Sequence, residues 1–316
     1  MYKRILMIAL LAFAVILTGC TKKEADKSSQ NKDTIHVYTT VYPLADFTKK
    51  IGGKYVDVDT VYPPGTDEHS FEPSQKDIVS MADADLFFYI GYDLEGFVTK
   101  AKPILTNEGV KVLAIGESIS IDHASHEEDD HHEEENHDGH THGSVNPHLW
   151  LNPVYAKAMA EKVKDQLVNE KPEQKVFFEA QYEKLASQFD QLDQDFAQTI
   201  DAATTKKLIV SHAAYGYWEE RYGLEQISIT GLTASADPSQ KELEKIVKTA
   251  KENHLTYIIF EQNVSSKLTE IIQKEIGAKD LMLHNLSVLT ENDLKNGEDY
   301  FSLMEQNLET VKTALQ

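Results

Sequence analysis

A single cysteine in 316 residues leaves no partner for an internal disulfide and no basis for a cysteine-built zinc site. Basic side chains are also scarce, with 31 Lys and Arg against 52 Asp and Glu and a formal net charge of −21. That balance argues against a nucleic-acid binder, which needs basic patches to displace counterions from phosphate. The apolar run from Ile5 to Leu17 falls short of the ~18–20 residues required of a spanning helix. What is present suffices for a core. Hydrophobic residues make up 41% of the chain, which excludes global disorder, and the length allows one large domain or two of ordinary size. The 13 histidines are unevenly placed.

The chain opens on Lys3 and Arg4, then the apolar run, then Thr18-Gly19-Cys20. A basic start and an apolar stretch of this length read as a secretory signal peptide over residues 1–19. Leu17-Thr18-Gly19-Cys20 resembles a bacterial lipobox, which makes Cys20 the expected lipid attachment point and mature N-terminus. Residues 20–33 are almost free of apolar side chains and read as a flexible tether. Losing residues 1–19 removes two cations, so the mature net charge becomes −23.

From residue 34 onward, short β-rich runs alternate with helical spacing, the grammar of parallel sheets covered by helices. Candidate strands are 35–40, 55–62, 86–90 and 110–115, followed later by 208–210, 225–229, 257–260 and 281–283. Between the two groups lies a helical stretch. Its second part, 172–203, spaces Phe177, Tyr182, Leu185, Phe189, Leu192 and Phe196 at helical steps and would extend ~48 Å at ~1.5 Å per residue. The expected organisation is an α/β chain with two lobes, 34–150 and 206–316, joined by a helical connector over 151–205.

Residues 122–143 break the pattern. They hold His123, His126, His131, His132, His137, His140 and His142 with nine carboxylates and no Lys or Arg. Without apolar periodicity this is a solvated loop. Its charge attracts divalent cations, whether it concentrates metal near a site or binds it incidentally. Without the loop the mature chain carries −23 + 9 = −14.

Three histidines outside the loop sit in unusual contexts. His69 lies in a polar segment between a strand and a helix. His148 is bracketed by Pro147 and Pro153. His212 follows the buried run 208–210, at the carboxyl end of a strand, where open α/β sheets bind ligands. The three are separated by 79 and 64 residues, so they meet only across a cleft between lobes. Three imidazoles suit Zn²⁺ and other borderline metals. Spacing alone equally accommodates a cap, a loop residue and a satisfied core ring.

The flanking strings sharpen this. Pro64-Gly65-Thr66-Asp67-Glu68-His69-Ser70-Phe71-Glu72-Pro73-Ser74, Asn146-Pro147-His148-Leu149-Trp150-Leu151-Asn152-Pro153 and Ser211-His212-Ala213-Ala214-Tyr215-Gly216-Tyr217 together resemble the metal-binding lipoproteins that feed ABC-type zinc and manganese importers. Ala236-Asp237-Pro238-Ser239-Gln240-Lys241-Glu242-Leu243 and Phe260-Glu261-Gln262-Asn263 extend the resemblance over essentially everything after the tether. It implies two α/β lobes with mostly parallel sheets bridged by one long helix, and metal in the cleft. His69, His148 and His212 fall on the family's ligand positions. A histidine at the third position favours Zn²⁺ over Mn²⁺, which suits oxygen-rich shells. The fourth position departs from the pattern, because Ser287 stands where some zinc members carry a carboxylate. A water or Glu68 is the alternative fourth donor, with His284 a less apt substitute and Glu261 an orienting acceptor for a ligand. The resemblance further implies a non-enzymatic, high-affinity zinc-binding component, monomeric and lipid-anchored on the extracytoplasmic face of a bacterial membrane. Its partners would be an ABC permease with its ATPase subunit. A manganese or iron importer component, a metal-dependent surface adhesin and a zinc hydrolase are the competing readings. The last lacks a His-Glu-x-x-His string.

Overall fold

The computed structural model describes residues 34–121, 145–232, 238–262 and 267–316. The expected signal peptide, Cys20, the tether, the seven loop histidines, Asp237 and Asn263 lie outside the described residues. Ile35–Gln316 forms one compact unit.

The first sheet comprises β1 (Ile35–Thr39), β2 (Val56–Thr60), β3 (Leu86–Tyr89) and β4 (Lys111–Ala114), all parallel in the order β2-β1-β3-β4. The central strand β3 reads Leu-Phe-Phe-Tyr and is buried throughout, as a parallel strand covered on both faces must be. The edge strand β2 instead buries Val58 between exposed Asp57 and Asp59. Helices α1 (Tyr42–Gly52), α2 (Gln75–Met81) and α3 (Val98–Asn107) connect these strands. Ser74 caps α2 in a reciprocal capping box with Asp77.

Helices α4 (Pro153–Glu170) and α5 (Lys175–Asp201) follow. The bridging helix α5 has 27 residues, or ~40 Å at ~1.5 Å per residue, shorter than the expected span. The difference lies at Pro172. The residue before a proline is pushed out of the α region, and Lys171 adopts φ −138° and ψ 69°, leaving Pro172–Gln174 as a separate 3₁₀ turn. The apolar stripe of α5, including Phe178, Phe189 and Phe196, is buried. It packs on α1 of the first lobe and on its connector neighbour α4.

The second sheet repeats the first. Strands β5 (Lys207–Val210), β6 (Glu225–Ser228), β7 (Tyr257–Glu261) and β8 (Lys279–Leu283) are parallel in the order β6-β5-β7-β8. They are served by α6 (Gly216–Tyr222), α7 (Gln240–Glu252), α8 (Lys267–Ile276), α9 (Glu291–Asn296) and α10 (Tyr300–Ala314). Helix α9 has no counterpart in the sequence expectations. Six residues are too few for a periodic signal, and its definition comes from the Thr290–Asp293 capping box and Gly297 at φ 70°. Helix α10 packs against α5 and β8, so the bridging helix is held from both sides.

One apolar core runs through both lobes and the helices between them. At its centre the rings of Phe47, Phe189 and Tyr300 lie 5.0–5.5 Å apart, all in edge-on contacts. The Tyr300 hydroxyl donates to the Trp150 carbonyl at 2.7 Å. Tyr300→Phe removes the donor and keeps the ring. It is expected to cost about 1–3 kcal/mol, read as a lowered urea midpoint with an unchanged slope. A variant as stable as the parent would show that this bond carries no net stabilisation. No helix among the described residues is long and apolar enough to cross a membrane.

Candidate metal centre

The turn after β2 brings His69 to the cleft. Gly65 takes φ 77°, a conformation that favours glycine, and Asp67 then folds the loop onto itself. One Asp67 oxygen accepts from the His69 backbone at 3.1 Å and the other from Ser70 Oγ at 2.8 Å. His148 stands just before the buried turn Leu149–Leu151. That turn is fixed by the second lobe. Trp150 Nε1 donates to the Asn285 carbonyl, and Trp218 Nε1 donates to the Leu151 carbonyl, both at 2.7 Å. Asn152, the cap of α4, also donates to the Tyr217 carbonyl at 3.2 Å. His212 leaves the end of β5 beside the end of β7. This is the point where the order of the second sheet reverses and ligands are expected.

The structure brings the three expected histidines together. One ring nitrogen of each of His69, His148 and His212 lies within 4.8 Å of the others. The ring centroids are 5.1–6.1 Å apart. His148 Nε2 and His212 Nε2 approach to 3.3 Å. Their far nitrogens are committed to acceptors. His148 Nδ1 lies 2.7 Å from Asn146 Oδ1, and His212 Nδ1 lies 2.5 Å from Glu261 Oε1. An acceptor at Nδ1 fixes the proton there and leaves the Nε2 lone pair free. That is how a histidine is prepared for a metal. His69 Nε2 is buried with no hydrogen-bond partner. The set is one that can hold a borderline divalent cation.

The remaining candidates divide. Glu261 is buried and accepts from both His212 Nδ1 and Ser211 Oγ, the orienting position expected for it. Glu68 is 4.0 Å from His69 Nε2 through Oε1, which also receives the Asn285 amide at 3.4 Å. Ser287 points its hydroxyl to Asn285 Oδ1 at 2.9 Å. His284 is held elsewhere, between Asp293 and the Leu286 backbone N–H. Two asparagines emerge that had no assigned role. Asn146 precedes its histidine by two residues in an Asn-Pro-His string, a local signal that a side-chain acceptor is near. Asn285 has no such signal. It ties a second-lobe loop to Glu68 and, through its carbonyl, to Trp150.

Electrostatics favour neutral rings at two of the three histidines. Burial pushes the His148 pKa well below 6.5, and the neighbouring His212 and His69 push it further. Burial also lowers His69, with His212 adding to the effect. At His212 burial again disfavours charge, but the Glu261 carboxylate, with Glu68 and Asp67 adding to it, more than offsets it and the pKa rises. Burial raises Glu68 to about 7.

Residues 37–314 match the family model described as "Zinc-uptake complex component A periplasmic". The chain is 35% identical over 312 residues to the zinc-binding lipoprotein AdcA of Streptococcus pneumoniae, covering 98% of this chain and 60% of that protein. It therefore spans under two thirds of that relative's length. It is 33% identical over 310 residues to the high-affinity zinc uptake system protein ZnuA of Bacillus subtilis, covering 98% and 97% of the two chains. The crystal structure of the Zn(II)-bound ZnuA-like domain of S. pneumoniae AdcA superposes with a TM-score of 0.73 at 32% identity, over 89% of this chain and 99% of that one. A match over nearly the whole described chain, on a fold with two parallel sheets and three converging histidines, places the protein in the zinc-uptake complex component A family.

Proposed function

We propose that this chain is the extracytoplasmic, high-affinity zinc-binding component of an ABC importer. It captures Zn²⁺ with His69, His148 and His212 and hands it to a permease driven by an ATPase subunit. The observation that carries the reading is the convergence of three buried or half-buried imidazoles, two of them oriented through Nδ1 by Asn146 and Glu261. A nitrogen-rich set with room for one oxygen donor matches the tetrahedral preference of Zn²⁺. The fourth donor is an oxygen, from Glu68 or a water. The Zn(II)-bound relative and the zinc-binding names of the others support the same cargo.

The organisation fits this role. Residues 1–19 act as signal peptide and Cys20 as the lipid anchor, with 20–33 as tether. Lobes 34–150 and 206–316 are joined by the connector 151–205. The seven loop histidines gather cations near the cleft. The bridging helix is packed from both sides, so capture proceeds through local ordering of the His69 and His148 loops, with only a small tilt of the lobes. Release requires the permease to disturb one of those loops.

The test is competition for the metal-free protein. One equivalent of Zn²⁺ is expected to bind with high affinity and to resist displacement by an excess of Mn²⁺, because imidazole donors favour Zn²⁺. Displacement of Zn²⁺ by equimolar Mn²⁺ would instead assign the protein to a manganese importer.

A further inference from the structure

Helix α1 of the first lobe and the start of α10 of the second meet in a polar junction that cation capture leaves without a role. Lys50, in the last turn of α1, places Nζ 2.7 Å from Asp46 Oδ2 on its own helix and 2.8 Å from Oδ2 of Asp299, the cap of α10. The same ammonium lies 4.9 Å from the centre of the Phe301 ring. Asp46 is buried, and the Tyr300 backbone N–H is close enough to stabilise its charge. Tyr42, at the first turn of α1, donates its hydroxyl to the Glu298 carbonyl at 3.4 Å and its backbone N–H to the Ser287 carbonyl at 2.8 Å. Tyr42, Asp46 and Lys50 recur at four-residue steps, so one face of α1 carries all three to the second lobe.

Isolated surface ion pairs contribute little, but this cation is held between two carboxylates and a ring, and its side chain is only 29% exposed. Burial pushes the Asp46 carboxyl up, and Lys50 opposes it. At Asp299 burial acts the same way, but Lys50 and the Ser302 backbone N–H outweigh it. Helix α10 then leads from the junction to the site. Tyr300 follows Asp299, and its hydroxyl holds the Trp150 carbonyl two residues beyond His148. Two turns further on, Asn307 exchanges hydrogen bonds of 2.8 and 2.7 Å with the His284 backbone. The adjacent Asn285 reaches Glu68, the neighbour of His69. On the other side, α1 connects β1 to β2, the strand that ends in the His69 turn.

We propose that the Asp46–Lys50–Asp299 junction fixes the angle between the lobes and so sets how long the cation is retained, which makes Lys50 and Asp299 positioning residues for the metal. The inference rests on the zinc-binding reading above. His69 belongs to the first lobe and His212 to the second, so the spacing of these two ligands is a distance between lobes. Loosening α10 against α1 lets them separate while every group that touches the cation is still present. Retention then falls although the donor set is unchanged.

Lys50→Met removes the charge and keeps an apolar stem on Phe301, and Asp46 can then take up a proton instead of remaining a bare buried carboxylate. Asp299→Asn removes the opposing charge and keeps a side-chain oxygen to cap α10. The two single variants and their double are loaded with one equivalent of Zn²⁺ and mixed with excess chelator, and the release rate is followed. Lys157→Met is the control, since it breaks the 2.7 Å pair with Asp190 inside the connector and joins no lobes. Each single variant is expected to release Zn²⁺ about three- to tenfold faster than the parent. The double should be no faster than the faster single, because the two residues act as one unit. The control should stay within about twofold. A merely structural contribution would lower the urea midpoint of the junction variants and leave their release rates at the parent value. Rates within about twofold of the parent in both single variants, effects that multiply in the double, or equal acceleration in Lys157→Met would overturn the role of the junction and leave the zinc site standing. A parent that takes up no stoichiometric Zn²⁺ would overturn the site itself, and the retention role with it.

Discussion

Replacing His148 by alanine should lower zinc affinity by about two to three orders of magnitude. Tight protein zinc sites are worth roughly 10–16 kcal/mol, or about 2.5–4 kcal/mol for each of four donors. At 1.4 kcal/mol per decade this is a loss of about 10²–10³-fold per ligand. His148 is the most informative of the three because it has no solvent-exposed surface and its Nε2 faces His212 Nε2 at 3.3 Å. Its removal also leaves Asn146 Oδ1 without the ring it orients. The measurement is competition against a chelating dye, with His254→Ala as the control. His254 is exposed at the end of α7, and its loss should leave affinity within about twofold, the usual neutrality of surface positions. A His148→Ala protein that holds Zn²⁺ as tightly as the parent would show that the cluster is not where the cation sits.

The triad was legible in the sequence because each histidine is embedded in local chemistry that survives without the fold. His69 follows a Pro-Pro-Gly turn, His148 lies between two prolines, and His212 ends a β-branched run. The organisation around them is not local and was not legible. Both sheets take the same strand order, although no sequence repeat links them. The likeness extends to polar detail. Thr40, which follows β1, donates through its hydroxyl to the buried Glu95, and Ser211, which follows β5, donates to the buried Glu261, both at 2.7 Å. In the first lobe the carboxylate also accepts the backbone N–H groups of Ile90 and Gly91 and so closes a structural turn. In the second it turns outward to His212. One device thus closes a turn in one lobe and orients a histidine of the proposed metal site in the other. Only the partner on the far side separates the two uses, and a linear sequence does not record that partner. The same holds for Asn285, whose neighbours Trp150 and Glu68 lie 135 and 217 residues away.

Acidification should release the metal, and His212 should set where release begins. A coordinating imidazole must be neutral, so any proton on the triad competes with Zn²⁺. His148 and His69 have lowered pKa values and are neutral at pH 7. His212 has a raised pKa, because Glu261 together with Glu68 and Asp67 outweighs burial, and it takes the first proton as pH falls. The sign for the metal-free fold follows. The protonated His212–Glu261 pair adds stability that is fully present below the unfolded value near 6.5 and is lost as pH rises through the raised folded value. His148 and His69 act oppositely, since the unfolded chain binds their protons more readily and acid therefore weakens the fold. Zn²⁺ must displace the His212 proton, so apparent affinity should fall about tenfold per pH unit below the raised value, and more steeply once the other imidazoles are protonated. Glu261→Gln separates the two roles of the carboxylate. Without its charge, only the weaker influence of Glu68 and Asp67 opposes burial at His212, so the onset of acid release should move to lower pH. At high pH the weaker acceptor should cost about 10–100-fold in affinity. Calorimetry in buffers of different ionisation enthalpy counts the protons released per Zn²⁺. An onset that stays put in Glu261→Gln, or an affinity that is flat from pH 8 to about 5.5 where three free imidazoles would compete, would remove His212 from the site.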